Sequence, residues 1–400
     1  MPDVGIVMPD VGIVMPVYYQ NPAFLTAAIQ SILAQTYANF KFVIVIDGAP
    51  EMKVIAESLT SYDPRVTILD NGVNKGVTYS LNRGFDVLFS DSEIRYFTWV
   101  SSDNVYYAPF IETLRNLIES SPEPIGLVHS SFRMFNDEGQ FLQTEEDMVH
   151  FRRYLNQPKE NLLNACTIGI CFLYKKDIAA KIAGYGSEPV EDYEYWLRLT
   201  EHCDIKYVPV ELASYRVNSK HSISAKLQTT EQHRRWRYAF HFVRHQARQR
   251  RNIPLELTLL LPLNYADEST IARLENVYEQ TYSNYLVVIL DLSPDQHVTN
   301  RLTSVSHPLT TAVGCANQTV GGAIQSYLPE VTTPYVMVLN QQPFSQHSFL
   351  QTLITNFNLY ANHSIVSFGY SVNETEVIPN YELPPQLHFN ELYSTNMARK

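Results

Sequence analysis

The chain has 400 residues, 45% of them apolar and 18% charged, which is enough for two globular domains that each bury a core of their own. Its formal net charge of −11 argues against a general nucleic-acid binder. The four cysteines form no Cys-x-x-Cys pair, and no basic-then-apolar leader is present, so we expect a cytoplasmic protein. No apolar run reaches the roughly 20 residues that a membrane-spanning helix needs.

The N-terminus consists of the heptapeptide MPDVGIV twice in tandem, and only one copy can form the first strand of a sheet. We predict that strand at residues 11–17 and leave residues 1–10 outside the folded core. A helical segment and a second apolar run, residues 42–46, follow it. This strand–helix–strand pattern is typical of a βαβ unit with a buried parallel sheet, so the sequence predicts an α/β protein.

Ligands of such sheets bind beyond the carboxyl ends of the strands, so the loops at residues 16–21, 47–50 and 101–104 should line one crevice. Asp47 ends an apolar run, where a carboxylate has no packing role but can accept a hydrogen bond from a ligand. A plain Asp-Gly turn is the alternative. Asp103 is surrounded by serine and asparagine oxygens, which suits Mg²⁺ or Mn²⁺, although Asp103 could equally cap the next helix.

Basic side chains near the predicted crevice could bind phosphate oxygens. Lys75 and Arg83 lie on a glycine-containing loop and the helix after it, in NKGVTYSLNRG. Arg216 and His221, in YRVNSKHSIS, follow an apolar run at residues 205–212 and could supply a second phosphate contact or a metal contact. For each of these residues a solvated surface position is the alternative.

The segment VEDYEYWLRL, residues 190–199, places Glu191 and Asp192 at the front of a helix whose core residues are Trp196 and Leu199. Acidic residues in a first helical turn stabilise the helix dipole, which is the plain interpretation. If this helix end points into the crevice, the adjacent carboxylates raise the pKa of one another, as a general base requires.

A basic segment, residues 233–251, contains seven arginines and no acid. Trp236, Phe240, Val243 and Ala247 recur in it at helical spacing, which predicts an amphipathic helix with basic outer faces. We expect the aromatic stripe to pack on a neighbouring domain. Docking on anionic lipid, and hence peripheral membrane contact through this helix, is the alternative.

A long internal repeat points to two related units. Residues 12–50 have a degraded copy at residues 258–294, and both copies contain a Gln-Thr-Tyr triplet, which begins at Gln35 and at Gln280. A second pair of similar segments follows farther along each copy. The sequence therefore predicts two α/β units in one chain.

Six motifs in the same order, namely MPVYYQNPAFL, QTY, NKGVTYSLNRG, WVSSDN, VEDYEYWLRL and YRVNSKHSIS, resemble those of the family 2 inverting glycosyltransferases of GT-A fold. The resemblance covers residues 11–225. It implies a mostly parallel central sheet flanked by helices. It also implies inverting transfer of a sugar from a uridine or thymidine diphosphate donor to a hydroxyl of a glycan or a lipid-linked glycan. We expect a role in bacterial surface or capsular polysaccharide synthesis.

Carried over to individual residues, the resemblance implies that Pro16, Val17 and Tyr18 form the edge of the nucleobase pocket. Asp47 would accept a hydrogen bond from the N–H of the base ring. The complete set predicted to bind the nucleotide sugar is Pro16, Val17, Tyr18, Asp47, Lys75, Arg83, Ser102, Asp103 and Arg216.

The resemblance also implies a base and a metal site. Asp192 takes the position of the catalytic base, and Glu191 supports it. The metal-binding D-x-D triplet corresponds to Ser-Ser-Asp here, so Asp103 keeps the contact to Mn²⁺ or Mg²⁺ while the first acid is lost. In the late Tyr-Arg-x-His pattern Asn218 replaces the histidine, and His221 is carried over as the metal ligand instead.

The second copy differs from the first in its acidic positions. We match Asp47 with Asp291, but Gln342 stands where the first copy has Asp103, and no acidic pair follows. We therefore predict a truncated, non-catalytic GT-A-like domain that serves packing, contacts in a homo-oligomer or acceptor positioning. The predicted division is an N-terminal heptad at 1–10, a catalytic domain at 11–232, a linker helix at 233–252 and the degenerate domain at 253–400.

Two other functions fit parts of the sequence. A non-catalytic scaffold or regulator that binds a sugar nucleotide would explain the lost acid and the degenerate copy, but it would not need the acidic pair. A nucleotidyltransferase would need a basic loop after the first strand, and residues 18–24 contain no lysine or arginine.

Overall fold

In the computed structural model the described residues are 8–217, 229–359, 365–366 and 387–398. The chain divides into two compact units, Met1–Gln232 and His233–Lys400. Each unit has its own sheet and its own hydrophobic core. Two sequence predictions, on Asn218 and His221, fall outside the described residues.

The first unit is built on an eight-stranded sheet. Its strand order is β3-β2-β1-β4-β7-β6-β8-β5, and β1 is parallel to both β2 and β4. The strands are β1 (Val11–Val17), β2 (Phe40–Ile46), β3 (Val66–Asp70), β4 (Tyr96–Trp99), β5 (Val105–Tyr106), β6 (Ile125–Phe135), β7 (Phe172–Lys175) and β8 (Asp204–Arg216). The helices are α1 (Pro22–Leu33), α2 (Pro50–Thr60), α3 (Val77–Phe89), α4 (Phe110–Ser120), α5 (Glu145–Leu155), α6 (Lys176–Ala179) and α7 (Glu191–Leu199).

The central strands follow from their apolar runs. Every residue of β1 except Pro16 is buried, and so is every residue of β2 except Lys41, as expected for parallel strands covered on both faces. The helix α1 begins at Pro22 directly after Asn21, whose side chain accepts a hydrogen bond of 2.9 Å from the Ala23 amide. Both residues are typical of a helix start. The predicted strand at residues 11–17 and the α/β class are confirmed.

The second unit has a six-stranded sheet of order β11-β10-β9-β12-β14-β13. Its first four strands are all parallel, in the same spatial order as β3-β2-β1-β4. The strands are β9 (Leu257–Leu263), β10 (Tyr285–Asp291), β11 (Thr310–Gly314), β12 (Tyr335–Val338), β13 (Ile365–Val366) and β14 (Leu392–Ser394). The helices are α8 (Thr230–Arg250), α9 (Glu268–Tyr278), α10 (His297–Leu302), α11 (Val320–Tyr327), α12 (Phe349–Leu359) and α13 (Thr395–Ala398).

The repeated Gln-Thr-Tyr triplet makes the same contacts in both units. The Gln35 amide donates to the Tyr107 carbonyl at 2.9 Å and accepts from the Ile111 amide at 3.0 Å. In the second unit the Gln280 amide donates to a carbonyl at 3.0 Å and accepts from the Leu350 amide at 3.1 Å. Each glutamine therefore connects the segment just after α1 or α9 to the loop before a later helix and to the first turn of that helix.

The tyrosine of each triplet is also used in the same way. The Tyr37 hydroxyl donates to the Asp10 carboxylate at 2.5 Å, and the Tyr282 hydroxyl donates to the Glu256 carboxylate at 2.5 Å. Each acid lies just before the first strand of its unit. The two units thus share the strand order and this set of contacts, which gives the triplet a physical reason to recur.

The predicted match of Asp47 with Asp291 is wrong by one position. In the first unit Val17 pairs with Ile46, and in the second unit Leu263 pairs with Asp291, so Asp291 occupies the place of Ile46. The residue in the place of Asp47 is the next one, Leu292. Its amide donates to the last carbonyl of the neighbouring strand at 2.9 Å, as the Asp47 amide does at 2.7 Å.

The basic helix α8 is packed differently from the prediction. Val243 and Ala247 are buried as expected, but Arg237, Arg244 and Arg248 are buried as well. Arg237 donates to the Glu279 carboxylate at 2.8 Å and to the Glu275 carboxylate at 3.2 Å, both on α9. The expectation of basic outer faces is therefore wrong for these arginines, because part of the positive charge is turned toward acids of the same unit.

Within the described residues, none of the helices combines the length and the apolar character needed to cross a bilayer.

Candidate active site

The carboxyl ends of three neighbouring strands bring the predicted donor-binding residues to one edge of the first sheet. Because β1 lies between β2 and β4 and all three are parallel, the loops that follow them meet at the same edge. Val17 is buried at the end of β1, while Tyr18 is 44% exposed and its ring packs on that of Tyr19 at 4.9 Å. An aromatic surface therefore stands beside Asp47 at this edge.

Asp47 is the centre of a hydrogen-bond network. Its side chain is buried and accepts from the Asn71 amide at 2.7 Å, from the Lys75 backbone N–H at 2.9 Å and from the Gly76 backbone N–H at 3.0 Å. The expectation that Asp47 has no packing role is therefore wrong. The carboxylate fixes the loop at residues 71–76. Because a carboxylate can accept about four hydrogen bonds, it has the capacity to accept one more.

The sharp turns around Asp47 depend on glycine. Gly48 has φ +73°, and a Cβ there would lie 2.3 Å from the Asn74 backbone nitrogen. Gly76 has φ +93°, and a Cβ there would lie 2.8 Å from a Glu188 carboxylate oxygen. Both positions combine a left-handed backbone with a close approach, so other residues would be strained. Glycine lets the loop close over the carboxylate.

Arg83 joins the same network, whereas the Lys75 side chain does not. The Arg83 guanidinium donates to the Asp70 carbonyl at 2.7 Å and to the Asn71 side-chain oxygen at 2.5 Å. Lys75 is exposed, and its ammonium lies 3.2 Å from the Tyr79 hydroxyl. The structure therefore links Asp47 to Arg83 through Asn71, a residue that the sequence reasoning missed. Its position at the end of β3 was the signal that could have identified it.

Asp103 lies at the end of the loop after β4 and is 9% exposed. Arg216, from the end of β8, donates through Nε to the Asp103 carbonyl at 3.2 Å and through its backbone N–H to the Asn104 side chain at 2.9 Å. The Arg216 guanidinium lies over the Phe24 ring at 3.5 Å. Arg216 thus braces the backbone of the Asp103 loop. Ser102, half-buried in the same loop, adds a hydroxyl beside Asp103.

The residues around Asp103 fit a divalent cation only with help from a ligand. Among the described residues there is no group of three or more His, Cys, Asp or Glu side chains that could hold a metal ion. Asp103 therefore offers one buried carboxylate rather than a complete cage. Mg²⁺ and similar cations commonly use one or two carboxylates together with substrate phosphates, so a metal that arrives with a diphosphate fits this arrangement.

The acidic pair opens α7 and has no cation partner within the part of the chain that the structure describes. Glu191 is 7% exposed, and one of its carboxylate oxygens has no hydrogen-bond partner there. Asp192 is partly buried and accepts a hydrogen bond of 2.6 Å from the Tyr193 backbone N–H. Glu194 differs, because it is paired with Arg198 at 2.6 Å. Of these three acids, Glu194 is the one with an evident structural role.

Burial sets the protonation of this pair. It raises the pKa of Glu191 to about 8, and the neighbouring negative charges of Asp192 and Glu188 add to the shift. Burial also raises the pKa of Asp192 above its ordinary value. The two carboxylates therefore titrate as a coupled pair whose pKa values are both raised, as a candidate general base requires.

A second missed residue connects α7 to the Asp47 loop. Glu188, three residues before α7, accepts from the Thr78 hydroxyl at 2.8 Å and from the Thr78 backbone N–H at 3.2 Å. Thr78 lies in the first turn of α3, directly after the loop held by Asp47. This contact holds the segment before α7 against the Asp47 loop. Glu188 has no distinctive sequence motif that would have identified it.

These features define an α/β domain with a polar, strand-end site that combines a buried carboxylate network and an unpaired acidic pair. Residues 12–183, within the first unit, match the family model described as Glycosyl transferase family 2. This match agrees with the family to which the motifs of the first unit assign it by resemblance.

Curated relatives agree with this assignment over about half of the chain. The O-antigen biosynthesis glycosyltransferase WbnJ of Escherichia coli is 27% identical over 212 residues, which is 49% of this chain and 76% of that protein. An uncharacterized glycosyltransferase of Rickettsia felis is 25% identical over 207 residues, which is 50% of this chain. The chain spans only 33% of the length of that Rickettsia protein.

Among solved structures, the mannosyltransferase PcManGT from Pyrobaculum calidifontis, in complex with GDP-Man and Mn²⁺, aligns with a TM-score of 0.44 at 13% identity. The alignment covers 61% of this chain and 65% of that one. This likeness is too partial to carry that protein's ligands over to this chain.

Proposed function

We propose that this protein is an inverting glycosyltransferase that moves a sugar from a uridine or thymidine diphosphate donor to a hydroxyl of a glycan or lipid-linked glycan. Catalysis is assigned to residues 11–232, and residues 253–400 are a non-catalytic domain. The similarity to an O-antigen biosynthesis glycosyltransferase supports a role in bacterial surface polysaccharide synthesis.

The observation that carries the proposal is the acidic pair at the front of α7. Glu191 is buried without a cation partner among the described residues, which costs stability and therefore favours a functional role for the pair. The pair lies on a segment that Glu188 holds against the loop of Asp47. A pair of carboxylates with raised pKa beside a donor site is what a general base requires.

In the proposed reaction Asp192 takes the proton of the acceptor hydroxyl. The hydroxyl oxygen of the acceptor bonds to the anomeric carbon of the donor sugar while the bond from that carbon to the diphosphate breaks. Asp47 and the residues at the end of β1 hold the nucleobase, and Arg83 steadies Asn71 under Asp47. Asp103, with the diphosphate, would hold Mn²⁺ or Mg²⁺, which would offset the charge of the leaving group. Glu191 keeps the proton of the pair and leaves the charge on Asp192.

The proposal is tested by calorimetric titration of the full chain with UDP, dTDP, GDP and their sugars, with and without Mn²⁺. We expect one uridine or thymidine ligand to bind, and to bind more tightly with Mn²⁺. Asp103→Ala should remove the metal-dependent part, and Asp103→Asn serves as a control of similar size. Slow hydrolysis of the bound donor should accompany binding.

Binding without any transfer or hydrolysis would favour the second candidate, a scaffold that binds a sugar nucleotide. That candidate is supported by the serine in place of the first acid of the metal triplet. Failure of every nucleotide to bind to folded protein would refute both candidates.

A further inference from the structure

The carboxyl edge of the second sheet has a different chemistry from that of the first. Four loops follow its parallel strands β9, β10, β11 and β12 and meet at one edge. These loops, residues 264–267, 292–296, 315–319 and 339–342, contain no lysine and no arginine. They have no cation to offer to a diphosphate.

The loops are instead rich in exposed amides. Their exposed asparagine and glutamine residues are Asn264, Gln296, Asn317, Gln318, Gln341 and Gln342. Every one of the four loops contributes at least one of them. An amide side chain offers both N–H donors and a carbonyl acceptor, which is the combination that pairs with sugar hydroxyls.

A fixed aromatic ring accompanies the amides. Tyr265, two residues after the end of β9, is 60% exposed, and its ring stacks on that of His297 at 4.7 Å with 16° between the planes. His297 is held in turn by the Ala266 carbonyl at 3.3 Å. Tyr265 therefore presents one face to solvent from a supported position, and ordering it for a ligand costs little conformational entropy.

The guanidinium of Arg273 reaches this edge but is withdrawn from it. Arg273, on α9, is 1% exposed and donates through Nε to the Asn340 carbonyl at 3.0 Å. It also lies over the Phe344 ring at 4.1 Å. Arg273 thus braces the loop after β12 from below and presents no charge to a ligand above it.

We propose that this edge of the second sheet is a binding site for a neutral oligosaccharide, with a pyranose face stacked on Tyr265 and hydroxyls paired with Gln341 and Gln342. A neutral glycan suits this site, because a glycan is bound by an apolar platform together with neutral hydrogen-bond donors and acceptors. A sugar nucleotide does not suit it, because the phosphates of the nucleotide need cationic partners. Binding at this site does not require that the first unit transfer a sugar.

The test is a glycan array of bacterial O-antigen and capsule fragments, neutral ones and uronic-acid-containing ones, probed with the full chain. We expect neutral fragments to bind and Tyr265→Ala to weaken that binding at least tenfold. Gln341→Ala combined with Gln342→Ala should weaken it by a similar factor. Tyr62→Ala, which removes a 99% exposed tyrosine of the first unit, is the matched control and should bind as the wild type does.

Two further measurements separate this proposal from the proposed function. Thermal unfolding and titration with UDP or dTDP should be unchanged by Tyr265→Ala, and Asp192→Asn should leave glycan binding intact. The proposal is overturned if wild-type protein binds no neutral fragment, if it binds only acidic fragments, or if binding survives Tyr265→Ala. If the wild-type protein binds no donor nucleotide, the transferase function is refuted, while the result on glycan binding is unaffected.

Discussion

The two units use the same strand order but differ at the strand ends. In both, the glutamine of a Gln-Thr-Tyr triplet accepts an equivalent hydrogen bond from the first turn of a later helix. At the position where the first unit has Asp47, the second has Leu292, and Gln342 stands in the place of Asp103. The contacts that hold the sheet are kept while the charges that would hold a nucleotide are gone. Scaffold and site can therefore diverge separately in one chain.

The largest effect should come from the acidic pair, which has no counterpart among the described residues of the second unit. Asp192→Asn should reduce turnover by roughly 10²- to 10⁴-fold, because that is the usual contribution of a general base. Titration should show donor binding intact. Glu191→Gln, which imitates the protonated residue, is the control and should retain most of the turnover. Equal losses in both variants would contradict the separate roles of the two carboxylates.

The free energy of unfolding of the first unit should depend on pH because of Glu191. Folding raises the pKa of this residue from 4.5 to about 8, so the folded state binds the proton more tightly than the unfolded state. Its contribution is greatest below about pH 4.5 and is lost as the pH rises to about 8. Glu191→Gln should remove this loss, on the order of a few kcal/mol between these limits.

Urea unfolding of wild type and Glu191→Gln at pH 5 and at pH 8 measures this difference. The variant should gain stability relative to the wild type at the higher pH. A constant difference between the two proteins across this range would show that Glu191 ionises normally in the folded state.

Asp47→Leu gives the first unit the residue type that the second unit has at the equivalent position, which is Leu292. Three donors of the loop at residues 71–76 would lose their shared acceptor, and the ligand would lose a contact. We expect donor binding to weaken at least about tenfold, which corresponds to about 1.4 kcal/mol. Asp291→Leu, which removes a buried carboxylate that accepts from Ser293 and Thr299 in the second unit, is the control and should leave donor binding unaltered in the same titration. Weakened binding in that variant instead would mean that the units are coupled.

The triplet glutamines should show the smallest effects and the greatest similarity between the units. Gln35→Ala and Gln280→Ala each leave a buried amide N–H without its acceptor, so each should cost about 1–3 kcal/mol of stability. Denaturant unfolding with probes in each unit measures both. A loss at Gln35 alone would show that the contacts of the second unit are not equivalent in energy.

The architecture was largely predictable, because apolar runs, helix starts and the repeated triplet each have a local sequence signature. The one-residue error at Asp291 arose because an acid was matched by identity. The stretch from Gln280 to Asp291 is one residue shorter than that from Gln35 to Asp47. In a strand, one position turns a side chain to the other face, and Asp291 accordingly bonds to Ser293 and Thr299 of its own unit.

The candidate site was predictable only in part. Strand ends identified Asp47 and Asp103, and an acidic helix start identified the pair at α7. Asn71 could have been identified by its position at the end of β3, but Glu188 could not, because a glutamate on a loop has many equivalent uses. The burial of Arg237 was not predictable either, since its acidic partners lie on another helix about 40 residues away.

The arginines of α8 limit how this protein can vary among its relatives. Arg237 is 4% exposed and bonds to Glu275 and Glu279, which also contact Arg234 and His233. Replacing Arg237 alone would therefore leave each of these two acids with one partner fewer beside a core. Its replacement by an apolar residue should therefore occur together with loss of charge at both glutamates. Arg235 is exposed on the same helix, so we expect its residue type to vary among relatives without compensating changes.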